Sequence, residues 1–267
     1  MNQTTGEHDV RHLPWPWCRQ CCGIALDLGS ARTRAWMSGR GMLVDVPTVT
    51  FGEGITRPVR RGTIVDTPGT SRMLDRLLGH RLPRLVRPML ILTVPVLGGV
   101  AFRAEARVAV ETLRPHTVLT VPAARAVAMA ARADLSRPLL VVDIGAHVTE
   151  VTLLADGAVT DARRAALGTG DLDSLTAPTR ITDVVAAMVT TMLEEDGTRQ
   201  TLDALRRGML LAGGGALRPD LALGLTGRVH APVEPVPAPH TAAVRGAAQL
   251  LEAAHAHPSR TRRARST

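Results

Sequence analysis

Three observations predict an α/β fold. Short apolar runs suited to strands alternate with stretches of helical apolar spacing along most of the 267 residues. An apolar strand that ends in Asp-x-Gly and enters a hairpin occurs twice, at 24–29 and at 139–145. Hydrophobic residues make up 45% and charged residues 21%, a globular balance that argues against wholesale disorder. No apolar run approaches bilayer-crossing length, so a membrane-spanning protein is not expected.

The elements follow in order. Ile24–Leu28 alternates as a strand, turns at Gly29-Ser30 and resumes with Thr33–Met37, a hairpin signature. Residues 69–82 place Met73, Leu74, Leu77 and Leu78 at helical spacing. Met89–Val94 is a short continuous apolar run suited to a buried strand. Val100–Leu113 is helical in pattern, and Thr117–Val121 is a strand. Pro122 then opens an alanine-rich helix through Ala133, since proline suits a first turn. Leu139–Asp143 is a strand, followed by a hairpin of Val148–Leu154 and Ala158–Ala162 around Asp156-Gly157. Ile181–Leu193 and Leu202–Arg206 are helical, Met209–Leu211 is a short strand running into Gly213-Gly214-Gly215, and Thr241–Ala254 is the last amphipathic helix.

Composition narrows the chemistry. The net charge is +8, and all 32 basic residues are arginine; lysine and tyrosine are absent and Asn2 is the single asparagine. This pattern reads as codon bias, so the charge excess is discounted as evidence for a nucleic-acid partner. Catalysis through a lysine or tyrosine side chain is excluded. The three cysteines sit together at Cys18, Cys21 and Cys22. They read as a reduced cluster in a cytosolic protein, with a zinc site as the less favoured alternative because a closed site needs four ligands. Trp15 and Trp17 among arginines and prolines suit either a membrane interface or an arm packed on the domain. Arg260, Arg262, Arg263 and Arg265 make a basic tail that reads as solvated.

The glycine turns carry the chemistry. Asp27-Leu28-Gly29-Ser30 and Asp143-Ile144-Gly145-Ala146 each put an aspartate near the end of a buried strand, ahead of a tight turn. Such a turn can aim backbone N–H groups at an anion, and the aspartate can hold Mg²⁺ through water. Two of them face to face would clamp the phosphates of a nucleotide. Leu211-Ala212-Gly213-Gly214-Gly215-Ala216 follows a strand and opens a helix, leaving room for a base and ribose against bare backbone.

In this order and spacing the three motifs resemble the bacterial actin family, of the MreB/Mbl rod-shape-determining kind. The resemblance runs from Gly23 to about Leu251. It also includes Arg57-Pro58-Val59-Arg60-Arg61-Gly62-Thr63-Ile64-Val65-Asp66, the connecting strand Thr93-Val94-Pro95 and the helix carrying Gly246. It implies an actin-like (ribonuclease H-like) fold with a duplicated sheet-and-helix core. Domain I would span 23–137 and domain II 138–255, between an arm at 1–22 and a tail at 256–267. It further implies ATP and Mg²⁺ in the cleft between the domains. Asp27 and Asp143 would lie near the metal. Gly29, Ser30, Ala31 and Arg32 would meet the phosphates from one side, and Gly145, Ala146 and His147 from the other. Gly213, Gly214, Gly215 and Ala216 would lie at the adenosine.

The chain departs from the family pattern in four places. Phe51-Gly52 is followed almost at once by Arg57-Pro58, where the family inserts its small subdomain IB. The interval from Gly170 to Leu210 is too short for subdomain IIB. Ala146 and His147 replace glycines in the second phosphate turn, which strains the turn if positive φ is required there; His147 reads either as an N–H donor to phosphate or as a packing histidine. Thr120 and Val121 stand where the water-orienting glutamate is expected, so ATP hydrolysis should be very slow or absent.

The resemblance implies a shortened, ATP-binding actin homologue that organises cell shape and cell-wall synthesis. It would act through a full-length MreB/Mbl paralogue or membrane-bound wall machinery rather than through ordinary filaments of its own. A cytoplasmic location is expected, with peripheral contact at the inner membrane face left open. The alternative is a nucleotide-free pseudo-actin scaffold. A small-molecule kinase lacks an obvious catalytic carboxylate, and a nucleic-acid binder rests only on the charge and the tail.

Overall fold

The computed structural model describes residues 9–10, 21–52, 54–82, 86–173, 177–257 and 262–263. Two five-stranded sheets form its frame. Sheet I contains β1 (Gly23–Leu28), β2 (Arg32–Met37), β3 (Gly41–Pro47), β4 (Met89–Val94) and β5 (Thr117–Pro122), in the order β5-β4-β1-β2-β3. Sheet II contains β6 (Leu139–Ile144), β7 (Thr149–Ala155), β8 (Ala158–Ala165), β9 (Met209–Ala212) and β10 (Val233–Pro235), in the order β8-β7-β6-β9-β10. The topology is the same in both: three antiparallel strands in meander, then two parallel strands added beside the first. The repeated Asp-x-Gly motif is therefore the visible part of a duplicated sheet.

Strand alternation decides which side chains meet between the sheets. Ile24, Leu26 and Leu28 point to one side of sheet I, into a core completed by α1 (Thr67–Leu78) and α2 (Gly99–Val110). Ala25 points the other way, as do Met89 and Ile91, and packs with Val244, Ala247 and Leu251. Asp27 shares that parity. In sheet II, Leu140, Val142 and Ile144 pack beneath α4 (Pro178–Glu195) and α6 (Pro219–Val229). Leu139 and Val141 face α3 (Ala123–Ala130), and Asp143 shares their parity. Both aspartates thus belong to the inner faces of the two sheets.

The filling between the sheets is helical. α3 packs against α7 (Ala242–Ala256), and α7 lies on β1, β2 and β4. The two helices meet at Gly246, where a β-carbon would come within 1.7 Å of the Ala126 carbonyl oxygen. The remaining helix, α5 (Gln200–Arg207), leads into β9 through Gly208 at φ 102°.

Most sequence-predicted elements are present, and four differences have physical causes. The alanine-rich helix ends at Ala130 rather than Ala133, because Arg132 adopts φ 55° and the Ala133 N–H returns to the Ala128 carbonyl at 3.0 Å. β3 is an edge strand in which Val44 alone is buried, so its short apolar run Met42-Leu43-Val44 shows no alternation to mark it as a strand. β10 is a three-residue strand ending in proline, also at an edge. α6 contains Gly224 and Gly227, which weaken a helical pattern; at Gly224 the missing β-carbon admits the Thr182 methyl at 3.1 Å.

Between β3 and α1 the described residues build only two ribbons of two-residue strands, Thr50–Phe51 with Ile55–Thr56 and Val59–Arg60 with Thr63–Ile64. Between β8 and β9 the described residues build α4, α5 and one short 3-10 turn. No helix among the described residues is long and apolar enough to cross a membrane. Cys18 and both arm tryptophans lie outside the described residues; Cys22 is buried and Cys21 half-buried. Of the arm and the far tail, Asp9–Val10 and Arg262–Arg263 are described, and their backbones pair antiparallel.

Candidate functional site

The two Asp-x-Gly turns are built alike. The Gly29 N–H donates to the Arg32 carbonyl at 3.0 Å, and the Gly145 N–H donates to the Val148 carbonyl at 2.8 Å. A β-carbon at either glycine would press on the oxygen that closes its own turn, at 2.8 and 3.0 Å. Neither Ala146 nor His147 has positive φ, so the steric strain expected from replacing glycines there does not arise. The His147 ring is drawn aside instead: its Nδ1 lies 3.5 Å from Asp171 Oδ1.

A cleft of about 350 Å³ runs between the turns, at the carboxyl ends of the central strands. Of the sequence-predicted residues, Asp27, Gly29, Ser30, Ala31, Arg32, Asp143, Gly145, Ala146, His147, Gly213 and Gly214 line it. Gly215 and Ala216 do not. Both are buried beneath the wall, where the absent Gly215 β-carbon leaves room for the Ile144 side chain at 2.4 Å. Gly213 has φ 82°, and a β-carbon there would strike Asp143 Oδ1 at 2.3 Å and the Ile144 carbonyl at 2.4 Å. Gly214 faces open space. A larger hollow, about 700 Å³, lies at the opposite end of β4 and β5 among Arg87, Arg107 and Arg114, away from every glycine turn.

Charged side chains cross each sheet in rows. On sheet I the register sets Asp27, Arg34 and Asp45 side by side; on sheet II it sets Asp143, Glu150 and Arg164 side by side. The Arg34 guanidinium lies between two carboxylates, with Nη1 3.7 Å from Asp27 Oδ2 and Nε 3.2 Å from Asp45 Oδ1. Thr93 Oγ1 donates to Asp27 Oδ1 at 2.6 Å. Arg32, expected at the phosphates, turns its guanidinium to Asp45, with Nε at 2.5 Å from Oδ1 and Nη2 at 2.5 Å from the carbonyl. Burial first, and then the negative charges of Glu150 and Asp27, push Asp143 up to about 7 against the opposing Arg34. Burial also raises Glu150, while Arg164 and the Leu97 and Val96 N–H groups pull it down.

The mouth is spanned by direct contacts. Arg61 and Gly62, both at positive φ, turn the Val59–Ile64 ribbon so that the Gly62 N–H reaches Ser30 Oγ at 3.0 Å. Arg61 then reaches across to Asp171 Oδ1 at 2.7 Å and the Ala166 carbonyl at 2.6 Å. From the other side Arg164 donates to the Leu97 carbonyl at 2.7 Å and to the Arg61 carbonyl.

Two tests bear on the implied ligands. A nucleotide fits: the cradle at Gly213 and Gly214 is bare backbone, and beside it His240 lines the cleft with a buried Nδ1 that has no hydrogen-bond partner. Mg²⁺ fits less well, because the Asp27 carboxylate is already engaged by Thr93 and Arg34. Among the described residues no group of three or more His, Cys, Asp or Glu side chains is placed to hold a metal directly. Val121 is buried, and neither it nor Thr120 lines the cleft, so no carboxylate stands at the position expected of the water-orienting glutamate.

Sequence reasoning missed Arg34, Glu150, Arg164 and His240. A signal existed for two of them, since Arg34 and Glu150 each follow their aspartate by the same interval and complete the same hairpin.

The MreB/Mbl protein family matches residues 52–177. No curated protein sequence matches the chain. Among solved structures, MreB5 of Spiroplasma citri bound to ADP superposes with a TM-score of 0.77 at 15% identity, over 88% of this chain and 97% of that one. The MamK double helical filament gives 0.71 at 15% identity, over 86% and 98%. The ethanolamine utilization protein EutJ from Carboxydothermus hydrogenoformans gives 0.62 at 15% identity, over 89% and 92%. The fold is actin-like, and the matched segment is MreB-like.

Proposed function

We propose that this MreB-like chain is a nucleotide-binding bacterial actin homologue that takes ATP or ADP between its two sheets. One observation carries it: two phosphate turns of identical construction face a single cleft, with the bare Gly213-Gly214 backbone at its side. Gly29, Ser30 and Ala31 meet the phosphates from sheet I, and Gly145 and Ala146 from sheet II. Gly213 and Gly214 receive the adenosine, with His240 beside them. MreB5 of Spiroplasma citri has been solved with ADP and with AMPPNP, and those structures share the fold. With no carboxylate at Thr120 or Val121, the attacking water is left unoriented and turnover is very slow.

The cellular role that accompanies this reading is organisation of cell shape and wall synthesis, through a full-length MreB/Mbl paralogue or wall machinery. The small ribbons after β3 and the two helices after β8 leave little of an upper surface for stacking monomers. The protein then works at the cytoplasmic side of the membrane as a partner, not as a filament of its own. The scaffold alternative keeps the fold without nucleotide.

Calorimetric titration with ATP and ADP decides between them. Gly214→Leu is the matched control, because a side chain there enters open cleft space and touches nothing within 4 Å at its β-carbon. Binding by the wild type that weakens at least about tenfold in Gly214→Leu, at unchanged melting temperature, supports the nucleotide reading. A folded wild type that binds neither nucleotide is a scaffold.

A further inference from the structure

The cleft is lined by three carboxylates, Asp27, Asp143 and Glu150, and by three guanidinia, Arg32, Arg34 and Arg164. The lining thus sets three fixed cations beside three carboxyl groups, with Arg32 paired to Asp45 outside the cleft and Arg34 shared with it. Arg34 is central to that arrangement. It lies opposite Asp27 across the β1–β2 hairpin, its side chain is 13% exposed, and it is held from the far side by Asp45. Its buried Nε has no well-aligned hydrogen bond. A guanidinium cannot lose its charge near neutral pH, so this cation is permanent. The equivalent place on sheet II, opposite Asp143, holds the carboxylate Glu150.

We propose that Arg34 takes the electrostatic role of a divalent cation at Asp27, so that this cleft binds nucleoside di- and triphosphates without requiring Mg²⁺. Anionic phosphates entering a cleft of unpaired carboxylates need a metal to offset repulsion. Here the guanidinium offsets Asp27 before the nucleotide arrives. The same occupancy leaves a hydrated magnesium ion a poor competitor for Asp27, because it would have to displace a built-in cation already between two carboxylates.

This inference rests on the nucleotide reading, and the test separates the two. ADP and ATP are titrated calorimetrically into the full chain, once in EDTA and once in excess Mg²⁺, for the wild type, Arg34→Met and Arg34→Lys. The wild type is expected to bind with less than about a threefold difference between the two media. Arg34→Met is expected to lose at least about tenfold in EDTA and to recover in Mg²⁺; Arg34→Lys, which keeps the charge, should stay close to wild type in both. Wild-type binding that vanishes in EDTA overturns the role of Arg34 and leaves the nucleotide reading intact. Equal metal dependence in the wild type and Arg34→Met overturns it as well. No binding in either medium removes the nucleotide reading and this inference with it. Should Arg34→Met fail to fold, the wild-type comparison still decides.

Discussion

Replacing Gly246 by alanine is expected to destabilise the protein by at least about 3 kcal/mol, the upper range for overpacking a close contact. The new β-carbon would lie 1.7 Å from the Ala126 carbonyl oxygen, so α7 has to move away from α3 by more than an ångström. The clashing atom is backbone, and no substitution at Ala126 can relieve it. The movement also disturbs the packing of Val244, Ala247 and Leu251 against Ala25 and Ile91, so the loss extends beyond one contact. Chemical denaturation followed by circular dichroism measures the change. A midpoint within error of the wild type would show that the helices do not pack this closely.

The second large effect concerns Asp143. Its carboxyl is pushed from an ordinary 3.8 up to about 7 in the folded protein, chiefly by burial and then by Glu150 and Asp27. The folded pKa exceeds the unfolded one, so the folded state holds more protons between about pH 4 and 7. Stability consequently falls as pH rises through that window and stays low above it. Asp143→Asn removes the ionisation. The apo variant should be more stable than the wild type at pH 8, by an upper bound of about 4 kcal/mol, from about three units at 1.36 kcal/mol each. That corresponds to a rise in melting temperature of at most roughly 10 °C. The advantage should shrink steadily and vanish near pH 4. Melting curves at pH 4, 6 and 8 give the profile; a pH-independent difference would assign the effect to packing rather than charge.

Parts of this fold were legible because local and tertiary preferences agree. Leu139–Ile144 is apolar at every position that becomes buried, and Met89–Val94 at every one except Thr93. Asp156-Gly157 turns its hairpin at φ 51° and 71°, as the dipeptide predicts. The paired Asp-x-Gly turns announced both the duplication and the cleft. What stayed hidden depends on register rather than on local sequence. Arg34 and Glu150 look like ordinary polar positions in alternating strands until pairing sets them beside Asp27 and Asp143. Arg32 is placed by Asp45, from an edge strand whose burial does not alternate. The roles of Gly215 and Ala216 turned on which side of the chain faces the cleft, a matter decided by Ile144 beneath them.

The helices between the sheets also impose an order of events on synthesis. The inner face of sheet I is complete in sequence by Pro122, yet apart from Ala126 of α3 the helix residues that cover Ala25, Met89 and Ile91 belong to α7 at 242–256. α3, made in the first half, contributes Ala124, Val127 and Ala128 to a cluster with Leu139 and Val141 of the second half. Each half is thus closed by a helix that also meets the other. A nascent chain therefore carries an apolar face of sheet I without its α7 cover until residues 242–256 have emerged from the ribosome.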